Sequence, residues 1–338
     1  MLKGHIFYLF VICILLPELG NTQDIHYSQF FNHYQGQNPS HTGAYPGEHR
    51  ISANYRSQWQ TIPVPYLSMS LFYDSKIKIR NKKDFLGLGI GLDYDRAGDS
   101  KLSLTALNAS INYGWNITKH HQIRFGVNPN IGQRRLSEEK LKWDNQWDGE
   151  RYNSNLSPRE NFNTSGSFFF DLGAGVAYQL SKSKRTFISI GASLNHLLEP
   201  NQTFYTITQT KVGLPVRSVY HASISIGVLP FVDILAFGQI QQQDVYEETA
   251  ASGMFRFYLD KNPGILLNML LGAGIRLDDA LYPMLGFQYK NWTALASYDI
   301  NTSDFKTATN KRGGLEISLQ YLLKNVEPIG IYKKCPLY

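Results

Sequence analysis

The sequence predicts an all-β protein, a transmembrane antiparallel β-barrel of about fourteen strands. Three observations predict it. Large apolar residues alternate with small or polar ones, period two, through most of the chain. The composition holds 21 Tyr, 19 Phe and 28 Gly with only 18% charged residues, which suits strands and turns more than helices. The connections between predicted strands also segregate by length: short ones follow even strands and the long ones follow odd strands. Outer-membrane barrels alternate periplasmic turns and external loops in this way, and a soluble sandwich has no reason to.

The stretch GLGIGLDYD, residues 87–95, shows the first pattern most clearly. As a helix, each glycine would cost about 1 kcal/mol against alanine. As a strand it is coherent, with Leu88, Ile90 and Leu92 on one face and Gly87, Gly89 and Gly91 on the other. The apolar face suits lipid. The bare face suits a lumen that must make room for the opposite wall, a plug, or larger side chains from neighbouring strands.

Residues 1–22 read as a signal peptide: Lys3, then the apolar run IFYLFVICILLP, then Gly20 and Thr22 placed −3 and −1 of a cut before Gln23. Cys13 lies inside that run, so Cys335 is the one cysteine expected after maturation and no internal disulfide is expected. The net charge of +6 is unchanged by the loss of Lys3 and Glu18. No basic helix or nucleic-acid motif accompanies it, so nucleic acid is not an expected partner.

Residues 23–49 are rich in Asn, Gly, Pro and His and show no period. They are expected either in the periplasm or as a plug folded into the lumen. The barrel is expected over 50–323, with strands near 50–59, 65–78, 85–95, 103–116, 121–132, 166–180, 186–198, 216–228, 232–242, 248–259, 264–277, 281–290, 291–300 and 312–323. The long connections, 133–165, 199–215 and 301–311, are assigned to the cell exterior. Both termini are then expected in the periplasm, with 324–338 as a C-terminal tail.

Catalytic and metal constellations are not evident. SKSK at 181–184 matches Ser-x-x-Lys but sits in an expected turn without partner motifs. GLGIGLD lacks the lysine and helix of a phosphate loop. His120-His121 lies at a turn, and His26, His33, His41 and His49 have the irregular spacing of scattered polar positions rather than of ligands. The loop stretch WDNQWDGE at 143–150 could offer carboxylates and Trp to calcium or a sugar, but reads first as a loop packed on its own aromatics. No enzyme activity, cofactor or metal is expected.

Several segments resemble the PorP/SprF family. HYSQFFNHYQGQNPSHTG carries Asn38-Pro39 and Gly43 at the family's Asn-Pro…Gly positions. NYRSQW matches its Tyr-Arg-x-Gln-Trp element through Tyr55, Arg56, Gln58 and Trp59. IGASLNHLLEPNQTF carries Asn195-His196, SYDINTS carries Tyr298-Asp299, and CPLY resembles the family terminus through Cys335-Pro336. The chain departs from the pattern at Leu315, where the family has His before Glu316, and at Leu337, where it has Arg. The resemblance implies a bacterial outer-membrane barrel serving the type IX secretion and gliding machinery. It implies contacts with other secretion proteins and, in some members, with one large surface adhesin. From the residues alone, Arg56 reads as a lumen-paired residue, Trp59 as an interface residue, and His196 as a hydrogen-bonded structural residue at an external strand end. A diffusion porin or small-solute transporter is the competing reading, because such a barrel can enclose a channel.

Overall fold

The computed structural model describes residues 24–58, 66–80, 83–98, 100–137, 141–157, 166–204, 213–262, 265–303 and 312–323. The signal peptide, Trp59 and the C-terminal tail with Cys335 and Pro336 lie outside the described residues. The described strands are β1 His49–Gln58, β2 Tyr66–Lys78, β3 Phe85–Ala97, β4 Leu102–Asn116, β5 His121–Arg135, β6 Gly166–Ser181 and β7 Phe187–Asn195. They continue as β8 Arg217–Leu229, β9 Val232–Gln243, β10 Tyr246–Asp260, β11 Leu267–Arg276, β12 Ala280–Tyr289, β13 Trp292–Asn301 and β14 Arg312–Leu323. Each pairs antiparallel with its sequence neighbours, and β1 pairs β14 from His49↔Leu323 to Gln58↔Gly314, closing the barrel. Closure leaves no sheet edge along the span.

The alternation places side chains as the sequence requires. Leu88, Ile90 and Leu92 point outward, 39%, 52% and 45% exposed, and align across the ladder with Ile111, Ala109 and Leu107. Asp74, Asp93, Asn112, Arg124, Asp171, Glu316 and Asp299 point inward and are buried. No described helix is long and apolar enough to cross a membrane. An arginine at Leu88 would meet lipid at mid-depth, where it costs roughly 2–4 kcal/mol. Leu88→Arg is therefore expected to lower the yield of folded, heat-modifiable barrel in outer-membrane fractions. An equal yield would contradict the outward assignment.

Two prolines interrupt the ladder. Pairing skips between Asn108↔Asn130 and Ile111↔Val127, beside Pro129, and between Leu281↔Ile300 and Met284↔Ser297, beside Pro283. A proline has no amide hydrogen to donate, so the neighbouring strand loses its bond there.

The strands begin and end within a few residues of expectation. The largest offsets are three residues: β5 runs on to Arg135, β11 starts at Leu267, and β7, expected to reach 198, ends at Asn195. His196 adopts φ +60°, which turns the chain out of the ladder.

Residues 24–48 lie inside the barrel. They form a 3-10 turn Phe30–Asn32, a short helix Tyr34–Gln37 and a second 3-10 turn Pro39–His41. The lumen they fill is part apolar and part polar. Phe30 and Phe31 pack with Leu235, Met254, Leu270, Tyr282, Met284 and Leu295, an apolar core inside the barrel on the β9–β13 wall. Phe31 also stacks on Phe237 at 4.2 Å between ring centroids. Polar groups of the wall, on β13 as well as on β3, β6 and β7, bond the segment's Ser, Gln, Asn and His side chains. This corrects the expected position of the N-terminal end. The start of β1 and the end of β14 do lie together at the short-turn end. The segment before β1 instead runs the length of the lumen, so Asp24 contacts His196 and Arg217 at the long-loop end.

Candidate functional site: a luminal plug clamped at both ends

Near the long-loop end, β1, β11, β13 and β14 each turn one charged residue into the lumen. Arg56 pairs with Asp299 at 2.8 Å, and its Nε lies 3.8 Å from Glu316. Arg276 pairs with Asp299 at 3.2 Å and donates to Ser28 Oγ at 3.1 Å. The plug threads through this network. Glu316 accepts the backbone N–H groups of Ser28 and Gln29, 2.8 Å each, while Ser28 Oγ donates to Asp299 at 2.7 Å and Arg56 donates to the His26 carbonyl at 2.6 Å. A carboxylate accepting two backbone amides is a strong, directional anchor.

Beside it sits a second anchor. His196 Nδ1 meets Asp171 Oδ2 at 2.5 Å, and its Nε2 meets Asp24 Oδ2 at 2.9 Å. Arg217 reaches the same Asp24 oxygen at 2.9 Å. Both ring nitrogens face carboxylate oxygens, so both must donate, and the ring is held as imidazolium. Burial opposes that charge, yet the carboxylates of Asp24 and Asp171 raise the His196 pKa above its ordinary value. For Asp24, burial pushes upward but Arg217 and His196 outweigh it, so its pKa falls below the usual carboxylate range. A raised histidine contributes stability that is full below its unfolded pKa and lost as pH rises through the folded one. A depressed carboxylate contributes stability that is lost as pH falls through its folded pKa. The anchor is therefore expected to be strongest between about pH 4 and 6.5 and to weaken progressively above that window. His196→Gln should flatten the alkaline side of a melting-temperature profile between pH 6 and 9; an unchanged profile would contradict the imidazolium.

At mid-height, Asn32 bonds Ser318, Tyr34 bonds Gln320 and Gln37 bonds Gln239. Asn38 joins the plug to two strands. Its Nδ2 donates to the carbonyls of Val176 on β6 and Ala192 on β7, 3.1 Å each, and its Oδ1 accepts from Ser40 N, so Pro39–His41 starts from a capped residue. At the short-turn end, Asp74 on β2 binds Arg50 through both oxygens, 2.9 and 2.8 Å, and accepts the Gly43 amide at 2.7 Å. Gly43 has φ +72°, a conformation that glycine adopts without strain.

Of the residues singled out by sequence, Asn38, Pro39, Gly43, Arg56, Asn195, His196, Asp299 and Glu316 are brought to the plug or its wall. Tyr55 and Tyr298 point outward toward lipid, and Gln58 ends β1. His33 lies against Asp93, His41 against His221 and His49 against Tyr73, so these histidines are dispersed along the lumen and wall. In 143–150 the loop forms a 3-10 turn, Asp144–Gln146, and a Trp147–Tyr152 bridge. Asp24, Arg50, Asp74, Asp171, Arg217 and Arg276 were not singled out as site residues. Their signal was a charge at an inward strand position, or, for Asp24, at the head of the segment without a period.

The family model for the type IX secretion system membrane protein PorP/SprF matches residues 19–321. The chain belongs to the PorP/SprF family. No curated protein matches it by sequence. Among solved structures this PorP/SprF protein is similar to the toluene transporter TbuX of Ralstonia pickettii, with TM-score 0.51 and 11% identity over 86% of this chain and 94% of that one. The toluene transporter TodX of Pseudomonas putida gives TM-score 0.51 and 10% identity over 86% and 93%. A FadL homologue of Pseudomonas aeruginosa gives TM-score 0.51 and 10% identity over 84% and 92%. At these identities the likeness is one of fold: outer-membrane barrels. Family and fold together place this protein in the outer membrane as a component of type IX secretion.

Proposed function

We propose that this PorP/SprF protein works as a closed binding platform in type IX secretion. In this reading the long-loop face helps export or hold a large surface adhesin, and the short-turn face contacts periplasmic parts of the machinery. One observation carries the reading: the lumen is occupied from mouth to mouth by residues 24–48, bonded to the wall at both ends. A barrel whose interior is spent on its own chain offers its ends rather than a channel. The plug also withdraws Tyr27, Phe30, Phe31 and Tyr34 from the periplasm, so the N-terminal segment is not itself the docking tail. Contact on the periplasmic side then falls to the short turns and to residues 324–338, which carry Lys324, Lys333 and Lys334. Deleting 326–338 is expected to leave an inserted, heat-modifiable barrel but to reduce surface display of the adhesin that native pull-down and mass spectrometry identify. Unimpaired display would remove the tail from the account.

A further inference from the structure

We propose that the lumen floor, beneath the plug turn Pro39–Thr42, binds an oxyanion of the phosphate type between Arg124 and Lys76. Arg124 on β5 points inward and is 2% exposed. Its neighbours in kind are all paired: Arg50 with Asp74, Arg56 and Arg276 with Asp299, Arg217 with Asp24. Arg124 instead makes one side-chain bond, NH2 to Ser189 Oγ at 2.9 Å, and its buried Nε has no partner. No carboxylate pairs with it among the described residues. Lys76 on β2 is equally without one. Its ammonium donates to the Tyr45 carbonyl and lies 5.2 and 5.1 Å from the rings of Tyr45 and Phe85. Lys76 and Arg124 lie within electrostatic range of each other and of Arg50. Asp74, the carboxylate within electrostatic range of Lys76, is spent on Arg50 and the Gly43 amide.

Of the four groups named, Arg50, Arg124 and Lys76 are positive and Asp74 alone is negative. Buried cations are ordinarily paired, because an uncompensated one costs far more than its contacts return. The unpaired donors point to a ligand that brings the missing charge. A guanidinium fork and a lysine point charge together suit a tetrahedral phosphate oxyanion. Half-buried Gln122 and Gln179, the next inward positions toward the turns, put the site within reach of the short-turn end. The wall around it is bare where the plug turn presses in. A Cβ on Gly126 would stand 2.3 Å from the Pro39 carbonyl carbon and Ser40 nitrogen, and one on Gly87 2.2 Å from the Thr42 oxygen. An anion held here pins that turn from below.

The test is the melting temperature of the full, detergent-purified barrel, read by heat modifiability while inorganic phosphate replaces chloride at constant ionic strength. A ligand that binds only the folded state raises it with concentration. The expected result is a saturable rise of several degrees in the native protein and in Arg80→Gln, a variant at an exposed position near the same end. Arg124→Gln should abolish the rise, and without phosphate it should melt no lower than the native protein, because it removes an unpaired buried charge. Lys76→Gln should weaken the rise. Phosphatidylglycerol vesicles, compared with neutral ones, distinguish a headgroup from free phosphate; a rise with either supports the oxyanion site. No rise with either, an equal rise in Arg124→Gln, or a lower melting point of that variant in phosphate-free buffer overturns it.

Discussion

Replacing Asp299 with alanine will destabilise the folded barrel by about 3–5 kcal/mol, the scale of breaking a buried ion pair from one side. Asp299 joins Arg56 and Arg276 and also accepts from Ser28 of the plug. Arg276 keeps Asp279 as a second partner. Arg56 keeps its bond to the neutral His26 carbonyl, but its remaining carboxylate is Glu316, 3.8 Å from Nε, which already serves two plug amides. Removing the carboxylate thus strands a guanidinium in a site with almost no water access. Equilibrium unfolding in urea, in lipid or detergent, measures the loss. Arg56→Met combined with Asp299→Ala should cost less than the sum of the two single changes, because the coupled charges leave together. Additive losses would mean that Arg56 and Asp299 do not act as a pair.

Gly126→Val is the second large effect, and it separates plug from barrel. A Cβ at Gly126 meets plug backbone at 2.3 Å, and backbone cannot swing aside as a side-chain end can. The strand accepts valine readily, so the barrel assembles and the Pro39–Thr42 turn is displaced. Gly87→Val acts through Thr42 in the same way. Gly238→Val is the control: it sits on the outer face, where a Cβ meets nothing within 4 Å. The expected result is that the two luminal variants insert but expose residues 24–48 to protease, while Gly238→Val behaves as the native protein. Equal protection in all three would contradict the plug contacts.

The barrel was legible because lipid and lumen impose opposite chemistry on alternate residues, and alternation survives in one dimension. Leu88 and Gly89 already declare their faces in the sequence. The plug was not legible in the same way. Its conformation is set by wall residues distant in sequence, such as Glu316 for Ser28 and Val176 for Asn38, so no local period records it. Loop-length parity correctly put the ends of β1 and β14 together. It could not show that the segment before β1 turns back through the lumen, because parity counts only strands. The early end of β7 escaped for a related reason. Leu197 and Leu198 continue an apolar run, but His196 is taken by Asp171 and Asp24, one of them 172 positions away. The motif residues Arg56, Asp299 and Glu316 carry the opposite lesson: spread across 260 positions of sequence, they meet at one clamp.

Planar-bilayer recording tests the central claim, that residues 24–48 close the barrel, most directly. The purified native protein is expected to insert without a stable open channel, and Gly126→Val to show discrete conductance under the same conditions. A large, stable conductance in the native protein would contradict it, and would make the chain a diffusion porin rather than a closed platform.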